Sequence, residues 1–221
     1  MRKFLKELAP RGIPVLGSGL ISPVTDDQIT CKPIDYIPQH WPQLGAMDFG
    51  WEHPFAAVQL AWDRDADVVY VTKAYRMSRG TPVTHSAALR GWGKELRWAW
   101  PRDGRREPLE GAGIALAEQY RDQGLNMLRD HAQFDDGGVS IEAGLMAMLD
   151  RMQTGKLEVY AHLLDWFEER RMYHRKDGKV VKLGDDLMSA TRYGLMMLRH
   201  AGCQKGYGFN RELAMPSLGL V

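Results

Sequence analysis

The sequence predicts an α/β fold in which helices flank a mixed β-sheet. Three β-rich runs come first, at residues 46–49, 55–62 and 68–75, and helices then alternate with single strands. The acidic break at residues 63–67 predicts a hairpin between the second and third runs, so the first three strands are antiparallel. Later strands that follow helices are expected to run parallel to the first, which makes the sheet mixed.

The second half of the chain continues as alternating helices and strands. The run that starts at Leu96 predicts a fourth strand, which ends at Asp103. The strongest helical pattern places Ile141, Leu145 and Met148 on one face, and Ser140 is in position to cap that helix. The predicted helices cover residues 83–96, 111–122, 140–152 and 163–171, with a closing helix from residue 185. The predicted strands between them cover residues 125–128 and 157–160.

The composition divides the chain into three parts. Residues 1–44 contain six of the eleven prolines, and because proline fixes φ and lacks a backbone donor, they are predicted to form an extended arm or linker. Residues 45–204 are predicted to form one domain, since 44% hydrophobic content is enough for a sizeable core. Residues 205–221 are predicted to form a tail.

Several classes of protein are excluded by what the sequence lacks. It has neither the GxxxxGK[ST] nor the GxGxxG pattern, so no ATPase site is expected in this polypeptide. No apolar run approaches 18 residues, so no membrane contact is expected. The net charge is +1, so a nucleic-acid surface would have to be a local patch.

Acidic residues occur at three separated places where strands end or a helix begins. Asp48 lies in a strand between Met47 and Phe49, where a carboxylate is costly to bury without a partner or a metal ion. Asp103 alone is best explained as a turn residue, and Asp185 or Asp186 alone as a helix cap. Together they predict carboxylates that converge on a pair of divalent cations, which can activate water and stabilise a leaving oxygen.

Asp185 and Asp186 cannot both point to the same place. Adjacent helical side chains diverge by about 100°, and helical phase does not choose between these two. The pair Asp135 and Asp136 is expected to form a turn before the next helix, and His53 is expected to lie in a surface loop at the rim of the site.

A basic segment precedes the closing helix. Asp177-Gly178 is typical of a type I′ turn, so residues 172–182 are predicted to form a β-hairpin. Its cations, Arg175, Lys176, Lys179 and Lys182, are predicted to bind DNA phosphates beside the acidic cluster. The alternative is an ordinary solvated edge hairpin whose lysines prevent aggregation.

Three motifs, at residues 47–56, 98–104 and 185–193, resemble the carboxy-terminal nuclease domain of tailed-phage terminase large subunits. The resemblance implies an RNase H-like fold with an added basic β-hairpin, and a metal-dependent endonuclease that cuts double-stranded DNA with little sequence preference. It implies Mg²⁺ or Mn²⁺ in a two-ion site formed by Asp48, Asp103 and Asp185. The resemblance favours Asp185 over Asp186 as the third metal ligand, because similar motifs often keep the first acid and replace the second with His. Asp186 is a close second candidate.

The resemblance also implies partners and a location. The partners would be double-stranded DNA, a packaging ATPase domain, the terminase small subunit and the portal. The protein would act in the host cytoplasm and would not be a stable part of the virion. Two alternatives stay open. One is another RNase H-like enzyme, such as a resolvase or transposase; the other is a docking module for DNA or a portal, without catalysis.

Overall fold

The structure is a computed structural model that describes residues 21, 23–105, 115–176, 179–181 and 184–204. Seven strands form its main sheet, in the spatial order β1-β7-β4-β3-β2-β5-β6. They are β1 (Thr30–Cys31), β2 (Gln43–Asp48), β3 (Phe55–Asp63), β4 (Val68–Met77), β5 (Arg97–Ala99), β6 (Asn126–Met127) and β7 (Leu157–Tyr160).

The sheet is mixed, as the sequence predicts. β3 is antiparallel to β2 and β4, and the remaining neighbours pair in parallel. Because β2, β4, β5 and β7 therefore point the same way, their carboxyl ends lie at one edge of the sheet.

Within the described residues, five helices cover the sheet: α1 (Pro82–Leu89), α2 (Leu116–Asp122), α3 (Ile141–Gln153), α4 (Leu164–Met172) and α5 (Asp186–Met196). The predicted start of α1 is one residue late, because the Thr81 side chain caps the helix by accepting from the Thr84 backbone N–H. Helix α1 also ends early, and a short 3₁₀ turn leads to Gly93 at a φ of 152°. Ser140 caps α3 as predicted. No helix in the described ranges is long and apolar enough to cross a membrane.

The two faces of the sheet carry separate cores. Helices α3, α4 and α5 pack on one face with Ala46 and Leu60, whereas α1 and α2 pack on the other with Met47 and Phe55. Helix α5 approaches the sheet closely, because a Cβ atom on Gly194 would lie 2.6 Å from Leu60 Cδ1. This contact fixes the height of α5 above the central strands.

The sheet begins before the predicted boundary at residue 45. Strand β1 pairs with β7, and Ile21, Val24 and Ile29 are buried in the core. The buried Arg170 donates to the Val24 carbonyl and the Asp26 carboxylate, which ties this segment to α4. The described part of the predicted arm therefore belongs to the domain. Residues 1–20 of the predicted arm and the predicted tail at 205–221 lie outside the described residues.

Candidate active site

Four carboxylates meet at the edge of the sheet where the parallel strands end. Asp48, Asp103, Asp185 and Asp186 line one cavity of about 250 Å³. The remaining lining residues are Phe49, His53, Ile141, Tyr173, Val180, Ser189, Arg192 and Tyr193. The acids that the sequence predicts from three separate places are thus brought together.

Asp48 is the last residue of β2 and pairs across the ladder with Ala56 of β3. Burial raises the pKa of its carboxyl well above the ordinary value, and the charges of Asp103, Asp186 and Asp185 raise that pKa further. The positive charge of Arg192 acts in the opposite direction. The carboxylates are therefore close enough to repel one another.

Asp103 lies in a 3₁₀ turn (Arg102–Arg105) and not at the end of a strand, because β5 already ends at Ala99. The turn packs tightly: a Cβ on Gly104 would lie 2.5 Å from Phe49 Cε2 and 2.7 Å from Trp100 Cε3. The predicted strand end was wrong. Asp103 lines the cavity because this turn packs against Phe49, which lines it too.

Asp185 and Asp186 both line the cavity, at the start of α5. Asp185 precedes the helix, and its side chain does not cap it. Asp186 is the first helical residue and is 8% exposed, and its buried Oδ2 has no hydrogen-bond partner among the residues that the structure describes. Burial and the Asp185 charge raise the pKa of the Asp186 carboxyl, whereas His53 and Arg76 lower it. A buried acceptor without a partner is costly unless a ligand fills it.

The donor set suits a hard divalent cation, since carboxylate oxygens are the ligands that Mg²⁺ and Mn²⁺ prefer. The mutual repulsion at Asp48 and the orphaned oxygen of Asp186 fit that chemistry. Within the described ranges, however, no three His, Cys, Asp or Glu side chains already form a group that could hold a metal ion. The site therefore offers several carboxylate ligands, but they are not already arranged at coordination distance from one point.

The hairpin borders this cavity, because its residue Val180 is one of the lining residues. Strands β8 (Arg175–Lys176) and β9 (Lys179–Val180) pair antiparallel, and the Val181 N–H donates to the His174 carbonyl, so the described pairing lies within the predicted 172–182. Arg175 forms an ion pair with Glu142 at the start of α3, with Nη1 at 2.9 Å from Oε1. Lys176 is exposed, whereas Lys182 and the side chain of Lys179 lie outside the described residues. Binding of DNA by these four cations stays a prediction.

Asp136 and His53 lie where the sequence predicts them, in a turn and at the rim of the site. Asp136 accepts a hydrogen bond of 2.8 Å from the Gly138 backbone N–H, as in a turn, and it lies outside the acidic cavity. His53 is exposed at the rim.

Comparison with known proteins places this architecture in a family. A family model described as the terminase RNaseH-like domain matches residues 45–198, well over half of the chain. The chain belongs to the terminase RNaseH-like domain family. The RNase H-like fold and the resemblance drawn from the three motifs are thereby confirmed.

Individual relatives agree with this assignment. The terminase large subunit of Salmonella phage P22 is 41% identical over 213 residues, which are 96% of this chain and 42% of that relative. The chain thus spans about two fifths of that protein's length. The solved nuclease domain of the P22 large terminase is 43% identical, with a TM-score of 0.79 over 86% of this chain and 97% of that one. The bacteriophage SPP1 large terminase nuclease domain, solved with bound Mn, shares the fold at 15% identity, with a TM-score of 0.55 over 80% of this chain and 98% of that one.

Two charged residues of this terminase RNaseH-like domain were not found by sequence reasoning. Glu169 is fully buried in α4 and accepts hydrogen bonds from the Leu187 backbone N–H at 2.6 Å and from Arg76 at 3.1 Å. Burial raises the pKa of Glu169 to about 7. Because it binds the first turn of α5, Glu169 helps to fix where Asp186 lies. Its sequence context, a run of two acids and two arginines, is typical of a solvated helix face.

Arg192 of α5 is the second. It is 4% exposed and lines the cavity beside the carboxylates. Its guanidinium lies over the Tyr193 ring, with Cζ 4.4 Å from the ring centroid. Burial and the charge of Asp48 raise the pKa of Tyr193 to about 12, so that ring is neutral at pH 7. Nothing in the sequence distinguishes Arg192 from a surface arginine, because its burial depends on tertiary packing.

Proposed function

We propose that this domain is a divalent-metal-dependent endonuclease that cuts double-stranded DNA with little sequence preference during viral genome packaging. The observation that carries the proposal is the convergence of four carboxylates in one cavity, at the edge of a fold shared with the P22 nuclease domain. An acidic, partly buried cavity would repel DNA phosphates on its own. Its carboxylates make chemical sense as ligands for cations.

The metal ligands we propose are Asp48, Asp103 and one of Asp185 and Asp186, holding two Mg²⁺ or Mn²⁺ ions. When bound, such a pair lowers the pKa of an attacking water and stabilises the oxygen that leaves the phosphorus. The manganese in the SPP1 nuclease domain supports Mn²⁺ as the first ion to test.

The protein's own groups prepare the carboxylates for this role. Asp48 must lose its proton to act as a ligand, so its raised pKa makes metal affinity depend on pH. Glu169 fixes the first turn of α5 through the Leu187 N–H. Phe49 and Trp100 hold the Gly104 turn, and with it Asp103.

DNA would be held by the basic hairpin that borders the cavity. Phosphate contacts by Lys176, Lys179 and Lys182 would position the duplex without reading its sequence. Arg175 would have to share its guanidinium between Glu142 and DNA. The further partners we propose are a packaging ATPase domain, the terminase small subunit and the portal, and the place of action is the host cytoplasm, outside the finished virion.

The decisive experiment is a plasmid-nicking assay in Mg²⁺, Mn²⁺, Ca²⁺ or EDTA. We expect nicking and linearisation in Mn²⁺ and none in EDTA, and we expect Asp48→Asn to be inactive. Asp150→Asn is the matched control, because Asp150 is an exposed acid of α3 outside the cavity. Cutting of four-way junctions but not of linear duplex would favour a resolvase. DNA binding without cutting in any metal would favour a docking module.

A further inference from the structure

Arg192 is a buried cation that has no ion-pair partner in the described part of the chain. The ion pairs found among the described residues do not include it. Its Nε is buried and has no hydrogen-bond partner among those residues, and its Nη1 lies 4.0 Å from the Met196 sulfur. Arginine is seldom buried unless it is paired, because removing the charge from water is costly. The guanidinium is therefore available to an anionic ligand that enters the cavity.

The side chain is held in place by its neighbours. A Cβ on Gly144 of α3 would lie 2.7 Å from Arg192 Cγ and 2.8 Å from Cδ, so glycine at this position leaves room for the arginine stem. The Tyr193 ring supports the guanidinium from one side. Little rotamer entropy remains to be lost when a ligand binds, which is how a preorganised binding group behaves.

The charges around Arg192 indicate what the ligand is. The carboxylates in the same cavity are suited to cations, and the charge of Arg192 acts on Asp48 without an ion pair between them. A DNA phosphate that enters the cavity needs positive charge on the side away from the metal ligands. The planar guanidinium matches two phosphate oxygens at once.

We infer that Arg192 contacts the non-bridging oxygens of the phosphate that is cut, and is a catalytic residue of this domain. The inference rests on the proposed nuclease function. The contact would strengthen as negative charge builds on the phosphate oxygens in the transition state, so it would act on the rate of cutting more than on DNA affinity.

The test compares Arg192→Met, which keeps the stem without the charge, with Arg192→Lys, which keeps the charge without the planar group. In single-turnover cleavage at saturating Mn²⁺ we expect Arg192→Met to be about a hundredfold slower than the parent, and Arg192→Lys to be intermediate. The affinity for a short duplex in Ca²⁺ should fall much less than the cleavage rate, because the contact reaches its full strength only in the transition state. Arg90→Met is the control, because Arg90 is exposed and outside the cavity.

Chemical rescue separates contact with the phosphate from a structural role. In Arg192→Ala, low concentrations of guanidinium ion should restore part of the cleavage rate, whereas the same ion should not help Asp48→Asn. If Arg192 served only to balance the carboxylates, its removal would strengthen Mn²⁺ binding, and Arg192→Met would cut like the parent at saturating metal. That result would overturn the inference.

The outcomes separate this inference from the proposed function. If the parent and Arg192→Met cut equally well, the inference about Arg192 is overturned and the proposed nuclease function stands. A parent that does not cut in Mn²⁺ overturns the proposed nuclease, and the inference about Arg192 falls with it. If Arg192→Met melts far below the parent, Arg192→Lys and the guanidinium rescue decide.

Discussion

At the scale of single residues, the neighbours Asp185 and Asp186 differ in burial and in partners. The family motif favours Asp185 as the third ligand, whereas it is Asp186 that has a buried oxygen with no hydrogen-bond partner in the described ranges. An oxygen of that kind loses its water on folding and regains nothing until a ligand arrives. Burial therefore argues that Asp186 is the more sensitive of the two positions.

We expect Asp48→Ala and Asp103→Ala to abolish cleavage while leaving the fold and DNA binding intact. Asp186→Ala should lose more activity than Asp185→Ala, because it removes the more deeply buried of the two carboxylates. Single-turnover nicking in Mn²⁺ measures each loss, and circular dichroism checks the fold. A larger loss in Asp185→Ala would return the ligand role to the residue that the motif favours.

At the scale of elements, the strands follow from local sequence, but the positions of the functional turns do not. The β3–β4 hairpin and the mixed sheet were predictable because alternating and β-rich runs specify them. The Asp103-Gly104 pair is typical of a turn, but the position of that turn was not predictable, since it depends on Gly104 packing against Phe49, which lies far away in the chain. Glu169 and Arg192 were missed for the same reason: charges in helices are typical of solvated faces until tertiary packing buries them.

The packing of Gly104 leads to an element-scale prediction. In Gly104→Ala the added methyl group would collide with Phe49 and Trp100, and overpacking of this kind costs about 1–3 kcal/mol. We expect a lower melting temperature and a larger fractional loss of cleavage, because the turn would shift Asp103. Gly91→Ala is the matched control, since a Cβ there meets nothing within 4 Å. Parental cleavage by Gly104→Ala would show that the position of Asp103 tolerates movement.

The basic hairpin supports a second prediction at this scale. Replacing Lys176, Lys179 and Lys182 with Ala should weaken binding equally for unrelated DNA sequences. The slope of log affinity against log salt should flatten by up to about 0.9 for each DNA phosphate that the variant no longer neutralises. The double variant Lys32→Ala, Lys94→Ala removes exposed lysines elsewhere and should change neither quantity. A triple variant that binds and cuts like the parent would leave the hairpin as a protected edge.

At the scale of the whole molecule, local charge matters more than total charge. The net charge is +1, yet one edge of the sheet gathers four carboxylates around a buried arginine. Mutual repulsion at that edge costs folding free energy in the absence of cations. Functional sites commonly carry such a cost, and a ligand that binds only the folded state reverses it.

The stability of the whole domain should therefore depend on metal and on pH together. At a hundredfold excess over its dissociation constant, Mn²⁺ should stabilise the fold by about 2.7 kcal/mol, which is about 5–10 °C in melting temperature for a chain of this size. Asp48→Asn should lose most of that gain.

In EDTA, Asp48→Asn should be more stable than the parent. The pKa of Asp48 is raised above its ordinary value of 3.8 in the folded state, so the parent loses folding stability as pH rises from 3.8 through the folded pKa. Asp48→Asn should therefore gain stability relative to the parent over that range, and the difference should level off above it. Calorimetry from pH 4 to 8, with and without Mn²⁺, measures both effects. Parallel melting curves for the two proteins under all conditions would mean that Asp48 neither meets its acidic neighbours nor binds a cation.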